Sequence, residues 1–143
     1  MVTAKDCIKK WGSPDTFNEG VFMQLWDIPD DINKAIPELP NRLYCNKALV
    51  APLEKALRNI IDRCLTKEIE TWDGCFNIRF SRGLRSWSLH SWGIAIDINA
   101  ARNGLGKEPT MSAALVKCFT DAGFDWGGTW RRKDGMHFQL KSI

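Results

Sequence analysis

Ser86-Trp-Ser-Leu-His-Ser-Trp-Gly-Ile-Ala-Ile-Asp-Ile-Asn99 is the stretch on which the fold turns. Its second half alternates: Ile94, Ile96 and Ile98 fall on one face, and Ala95 and Asp97 on the other, which is the period of a half-buried β-strand. The isoleucines face a core, and an aspartate is presented from mid-strand on the opposite side. His90 would lie on the face away from Asp97 if the strand ran unbroken. For the two to converge the chain must bend between them, and Gly93 is the residue that permits it. His90 is therefore expected in the loop entering the strand.

A second segment, Lys133-Asp-Gly-Met-His-Phe-Gln-Leu140, puts Asp134 three residues before His137 at another loop-to-strand junction, with Gly135 free to turn. The chain has only two histidines. Read singly, each is better explained as an ordinary core or surface residue, and an aspartate three positions ahead as a turn former. Finding each beside an aspartate in a glycine-punctuated strand motif points instead to one shared site. Two imidazoles and one carboxylate suit zinc and leave a fourth position for water, whose proton a nearby carboxylate can take. Asp134 is the expected base.

Around these segments the pattern is that of an α+β domain. Strands are expected over Cys75 to Phe80, Gly93 to Ile98 and Met136 to Leu140, with a further short one over Val21 to Trp26. One helix is expected from Pro52 in its first turn through Leu53, Ala56, Leu57, Ile60, Ile61 and Cys64. Another is expected from Thr110 as N-cap through Met111, Ala114, Leu115, Cys118 and Phe119 to a stop at Gly123, and a short one over Thr3 to Trp11 ending at Gly12. The implied architecture is a small antiparallel sheet with helices packed on one face.

At 143 residues, 44% hydrophobic and 26% charged, without repeat or linker, the chain fits one domain spanning residues 1–143. The formal charge of +3 is spread along the chain, which argues against a nucleic-acid partner. No apolar run reaches membrane length, and the start MVTAKDCIKKWG is too charged for a secretory segment, so neither membrane insertion nor a signal peptide is expected. Cys7, Cys45, Cys64, Cys75 and Cys118 include no C-x-x-C pair and are expected as reduced, mostly buried thiols. Five of the seven tryptophans, Trp72, Trp87, Trp92, Trp126 and Trp130, sit near the motifs; core packing is expected for most, and exposure for Trp130.

Ser88-x-His90-x-x-Gly93-x-Ala95-x-Asp97 followed by Asp134-x-x-His137-Phe138 resembles the zinc D-alanyl-D-alanine carboxypeptidases and the phage L-alanyl-D-glutamate endopeptidases. The likeness extends through Trp72-Asp-Gly-Cys-Phe76 and Gly123-Phe-Asp-Trp-Gly-Gly128, covers roughly Leu43 to Leu140, and is closest to the compact phage branch. It implies the fold shared with the hedgehog signalling domain, with zinc on His90, Asp97 and His137. It implies further that Asp134 is the base and that Ser88 touches substrate. An upstream arginine holds the substrate's carbonyl or carboxylate in such enzymes; Arg79, Arg82 and Arg85 compete, with Arg82 and Arg79 favoured by their place at the end of the Cys75 to Phe80 segment. Thr129 departs from the acidic residue that phage relatives carry after Trp-Gly-Gly, which bears on substrate preference.

The expectation from this resemblance is a monomeric zinc peptidase cutting the stem peptide of peptidoglycan, endolysin-like, made in a host cytoplasm and acting on the wall after release. The alternatives are a D-alanyl-D-alanine carboxypeptidase and, from a different class, a non-catalytic zinc-containing wall-binding or virion structural module.

Overall fold

Thr3 opens the first helix, α1 (Ala4–Trp11), through a reciprocal cap. The Asp6 N–H donates to the Thr3 hydroxyl at 3.4 Å, and the Thr3 N–H donates to the Asp6 carboxylate at 2.7 Å. Gly12 ends the helix at φ 92°, as its place in the sequence predicts. The computed structural model describes residues 1–143. After α1 come a helical turn α2 (Glu19–Phe22), strand β1 (Met23–Asp27), helix α3 (Asp30–Ala35) and strand β2 (Arg42–Asn46). The long helix α4 (Lys47–Asp62) follows, then β3 (Trp72–Gly74), β4 (Ala95–Ile98), α5 (Ala113–Thr120), β5 (Phe124–Trp126) and β6 (His137–Leu140).

The α+β class is as expected, with the strands divided between two antiparallel sheets. β1 pairs with β2 as a ribbon, and the main sheet runs β3-β4-β6-β5. In that sheet Ala95, Ile96 and Asp97 face Gln139, Phe138 and His137 across the ladder. The alternation read from the sequence holds: Ile96, Ile98, Phe138 and Leu140 join one buried cluster with α4 and α5, and the Phe138 ring stacks on Phe119 of α5 at 4.1 Å. Asp97, His137 and Gln139 take the other face. No helix is long and apolar enough to cross a membrane.

Several expected boundaries move, among them the start of β1, which is Met23 because Val21 and Phe22 belong to α2. Helix α4 starts at Lys47, capped by Asn46, whose side-chain oxygen accepts from the Ala48 N–H at 2.9 Å, so Pro52 lies inside the helix rather than in its first turn. The missing proline N–H is outweighed by the apolar face of Leu49, Leu53, Ala56, Leu57 and Ile60, all buried. Helix α5 is capped by Ser112, not Thr110, whose backbone is instead held by Asn103. Residues 75–80 are not a strand. Their polar backbone groups are taken up by the turn that carries His90: the Asn77 N–H donates to the His90 carbonyl and the Arg79 N–H to the Ser91 hydroxyl. Cys7, Cys45, Cys75 and Cys118 are buried free thiols, and Cys64 is exposed.

Candidate metal centre

His90 sits in a turn of 3₁₀ helix, Leu89–Trp92, which Ser88 caps by accepting the His90 N–H at its hydroxyl, 3.3 Å away. Gly93 then adopts the left-handed conformation, φ 67° and ψ 29°, and the chain turns into β4. This is the bend that the sequence demanded. A second constraint was not legible: a Cβ at Gly93 would come 2.7 Å from the Met23 methyl and 2.8 Å from the Asn46 backbone nitrogen. The turn is packed that tightly against the start of α4, whose Asn46 also donates to the Trp92 carbonyl.

The bend brings His90 Nε2 to 3.2 Å from Asp97 Oδ2, while His137 Nδ1 approaches Asp97 Oδ1 at 3.4 Å from the neighbouring strand. One donor atom from each residue lies within 4.8 Å of the others. The two imidazoles meet edge to face at 5.0 Å. His90 Nδ1 lies 2.6 Å from the Cys75 carbonyl oxygen, which only accepts, so Nδ1 carries the proton and Nε2 keeps its lone pair. His90 Nε2 and Asp97 Oδ1 are buried with no hydrogen-bond partner. Burial opposes ionisation of Asp97, yet the His137 and His90 imidazoles outweigh it and hold its carboxyl well below the usual carboxylate range.

These features fit a small divalent ion. Tetrahedral ligands at about 2.0–2.1 Å from zinc stand about 3.4 Å apart; each imidazole lies at 3.2 or 3.4 Å from a different Asp97 oxygen, and the three donor atoms fall within 4.8 Å of one another. Two buried, unpartnered donors are costly unless something binds them, and an ionised carboxylate between two imidazoles supplies the charge. His90, Asp97 and His137 are the residues that would hold the ion.

Beside this cluster lies a cleft of about 520 Å³, whose lining includes Asp97, His137, Asp134, Arg79, Arg82 and Ser88. Asp134 is half-buried, its N–H donating to the Gly127 carbonyl at 2.9 Å and its carbonyl accepting from the His137 N–H at 3.1 Å. Burial pushes the Asp134 carboxyl above its ordinary value, and the Asp97 charge adds to this against the opposing pull of His137, His90 and Arg79. Among the arginines, Arg79 is half-buried and close enough to act on Asp134, Arg82 is exposed on the rim, and Arg85 does not line the cleft. Ser81, Arg82, Leu84, Ser86 and Trp87 line one part of it, the Trp87 ring lies tilted against Phe80 at 4.4 Å, and the Arg132 guanidinium donates to the Arg82 carbonyl. Trp130 is half-buried rather than exposed, its ring 5.3 Å from that of His137. Thr129 is exposed and donates to the Trp126 carbonyl.

Two supports of the site escaped the sequence reading. The Cys75 carbonyl carries no side-chain signal at all. Gln139 did carry one: two residues after His137 on a strand, it shares that residue's face.

A family model described as D-alanyl-D-alanine carboxypeptidase matches residues 82–140. Among solved structures, the L-Ala D-Glu endopeptidase ChiX of Serratia marcescens aligns over 79% of this chain and 88% of its own, at 19% identity and a TM-score of 0.44. No curated protein sequence matches the chain. The matched segment, which is similar to the D-alanyl-D-alanine carboxypeptidases, holds His90, Asp97, Asp134 and His137 together.

Proposed function

We propose that the chain is a zinc-dependent endopeptidase acting on the stem peptide of bacterial peptidoglycan, of the L-alanyl-D-glutamate type. The observation that carries this reading is the pair of buried, unpartnered donors, His90 Nε2 and Asp97 Oδ1, at a cleft that also holds Asp134. His90, Asp97 and His137 would hold zinc, which would supply Lewis acidity and acidify a water. The chain's own residues do the rest. Asp134 accepts the proton at its carboxylate, a task for which burial has raised its basicity. The Arg79 guanidinium holds the substrate's carbonyl or carboxylate, with Arg82 further out on the rim. The Ser88 hydroxyl, already accepting from the His90 N–H, keeps its own hydrogen to donate into the cleft.

The cleft is also lined by Arg79, Arg82, Trp130 and Arg131, and the identity of the product decides between an endopeptidase and a carboxypeptidase. The presence of Asp134 in the same cleft as Asp97 and His137 favours an enzyme over a non-catalytic wall-binding module. The test is to incubate the zinc-loaded protein with purified peptidoglycan and identify new termini by mass spectrometry. A new amino terminus on glutamate is expected. Release of terminal D-alanine alone would make it a carboxypeptidase, and no cleavage with zinc bound would overturn the reading.

A further inference from the structure

His137 and Gln139 project from the same face of β6, opposite Asp97 and Ala95 of β4. Gln139, the ladder partner of Ala95, is buried, with its amide oxygen 3.0 Å from His137 Nε2. On its far side the Gln139 amide nitrogen donates to the Val2 carbonyl at 3.1 Å. Nothing in the reaction just described uses either contact.

A carboxamide has one accepting end and one donating end, so it can be placed two ways, and the Val2 carbonyl chooses between them. That carbonyl can only accept, and so it takes the NH₂ group. The amide oxygen is thereby left facing His137, where it too can only accept, and Nε2 must carry the ring proton. In the neutral imidazole the lone pair then falls on Nδ1, the atom that approaches Asp97. We propose that Gln139 is a positioning residue that fixes the tautomer of His137 and so commits Nδ1 to the metal, with the Val2 carbonyl fixing Gln139 in turn.

The arrangement is the mirror of that at His90, where the Cys75 carbonyl holds Nδ1–H and frees Nε2. Opposite ring nitrogens are presented by the two histidines, each selected by an acceptor on the far side of its ring. Helix α1 links the two arms. The reciprocal cap of Thr3 and Asp6 fixes the backbone next to Val2, and at the other end of the helix the Gly12 carbonyl accepts the Trp92 indole N–H at 2.9 Å, two residues after His90. Without Gln139, the Asp97 carboxylate, 3.4 Å from His137 Nδ1, draws the proton to that nitrogen, the atom the metal needs.

The functional consequence rests on the metal-centre reading, whereas the tautomer is a property of the metal-free chain, and the two are tested separately. Two-bond proton–nitrogen NMR correlation on the metal-free protein, with histidine labelled with nitrogen-15 and at a pH where both rings are neutral, reads the tautomers directly. The expected result is Nε2–H at His137 and Nδ1–H at His90; Nδ1–H at His137 in the wild-type chain would overturn the proposal, and this arm needs no variant to fold. In Gln139→Leu the His137 proton is expected to shift to Nδ1, and zinc affinity by chelator competition to fall about 10- to 100-fold. Gln139→Glu restores an acceptor and is expected to recover the Nε2–H form and most of the affinity. A folded Gln139→Leu variant with wild-type tautomer and affinity would refute the role, whereas failure of the wild-type chain to bind zinc would remove the metal reading and leave the tautomer result standing.

Discussion

The backbone of Gly127 lies against the carbonyl of Asp134, so close that a Cβ at position 127 would stand 2.5 Å from that oxygen and 3.0 Å from the Asp134 Cβ. The same glycine carbonyl accepts the Asp134 N–H. Gly127 is thus the seat of the expected base, and Gly127→Ala must push Asp134 away from the cleft. Overpacking of this kind costs about 1–3 kcal/mol of stability. Turnover on peptidoglycan fragments should fall by about 10-fold or more, because a general base works only within hydrogen-bond reach. Zinc content, measured on the same sample, should stay near one ion per chain.

Asp134→Asn separates catalysis from stability. Loss of the base should lower kcat by about 10²- to 10⁴-fold. The carboxyl titrates higher in the folded chain than its ordinary 3.8, so the folded state favours the protonated form. Its contribution to stability is therefore complete below pH 3.8 and lost as pH rises through the raised native value. At neutral pH the metal-free Asn variant should be as stable as the wild type or more so, and that advantage should vanish in acid. Urea denaturation of both proteins at the two pH values checks the sign.

Asp97 carries the opposite sign. Its carboxyl is held below the ordinary value, so its contribution is present above pH 3.8 and lost as pH falls toward the depressed native value. Metal-free Asp97→Asn should accordingly lose stability at neutral pH relative to the wild type and converge with it in strong acid. Thermal melts across that range are the measurement.

Removing the ion with a chelator should leave a folded protein, because the 30-residue buried cluster excludes the three donor residues altogether. Adding zinc back at about 100 times its dissociation constant should raise stability by about 2.7 kcal/mol. His90→Ala should abolish that gain. A zinc-induced rise in melting temperature of the same size in the variant would exclude His90 as a ligand.

Gly93→Ala meets two obstacles at once: a left-handed φ of 67° and a backbone nitrogen, that of Asn46, 2.8 Å from the new carbon. A left-handed residue with a side chain costs about 1–2 kcal/mol, and the clash adds to it. Trimming Met23 to alanine in the same chain should not rescue the protein, since the Asn46 backbone remains in place. Denaturant midpoints of the single and double variants test this.

What could be read in advance follows the periodicities. Alternation in Ile94 to Ile98 placed Asp97 correctly on the face away from the core, and the need for His90 to meet it located the bend at Gly93. Helix α1 was marked at both ends by Thr3 and Gly12. The reading failed where partners come from far along the chain. Residues 75–80 have strand-like side chains, but their backbone is satisfied by the His90 turn. β2 and β5 were not anticipated, and pairing with β1 and β6 defines them. The start of α4 was missed because Asn46, its cap, also ends β2 and anchors the Trp92 carbonyl.

The two histidine supports differ in kind. Cys75 holds His90 with its main chain, and any residue able to follow the same path would offer the same oxygen. Gln139 holds His137 with a side chain, and a single codon change can remove it. One ligand's orientation is therefore inherited with the fold, while the other's is an adjustable setting. Variation that tunes the metal centre without dismantling it has its natural point of entry at position 139.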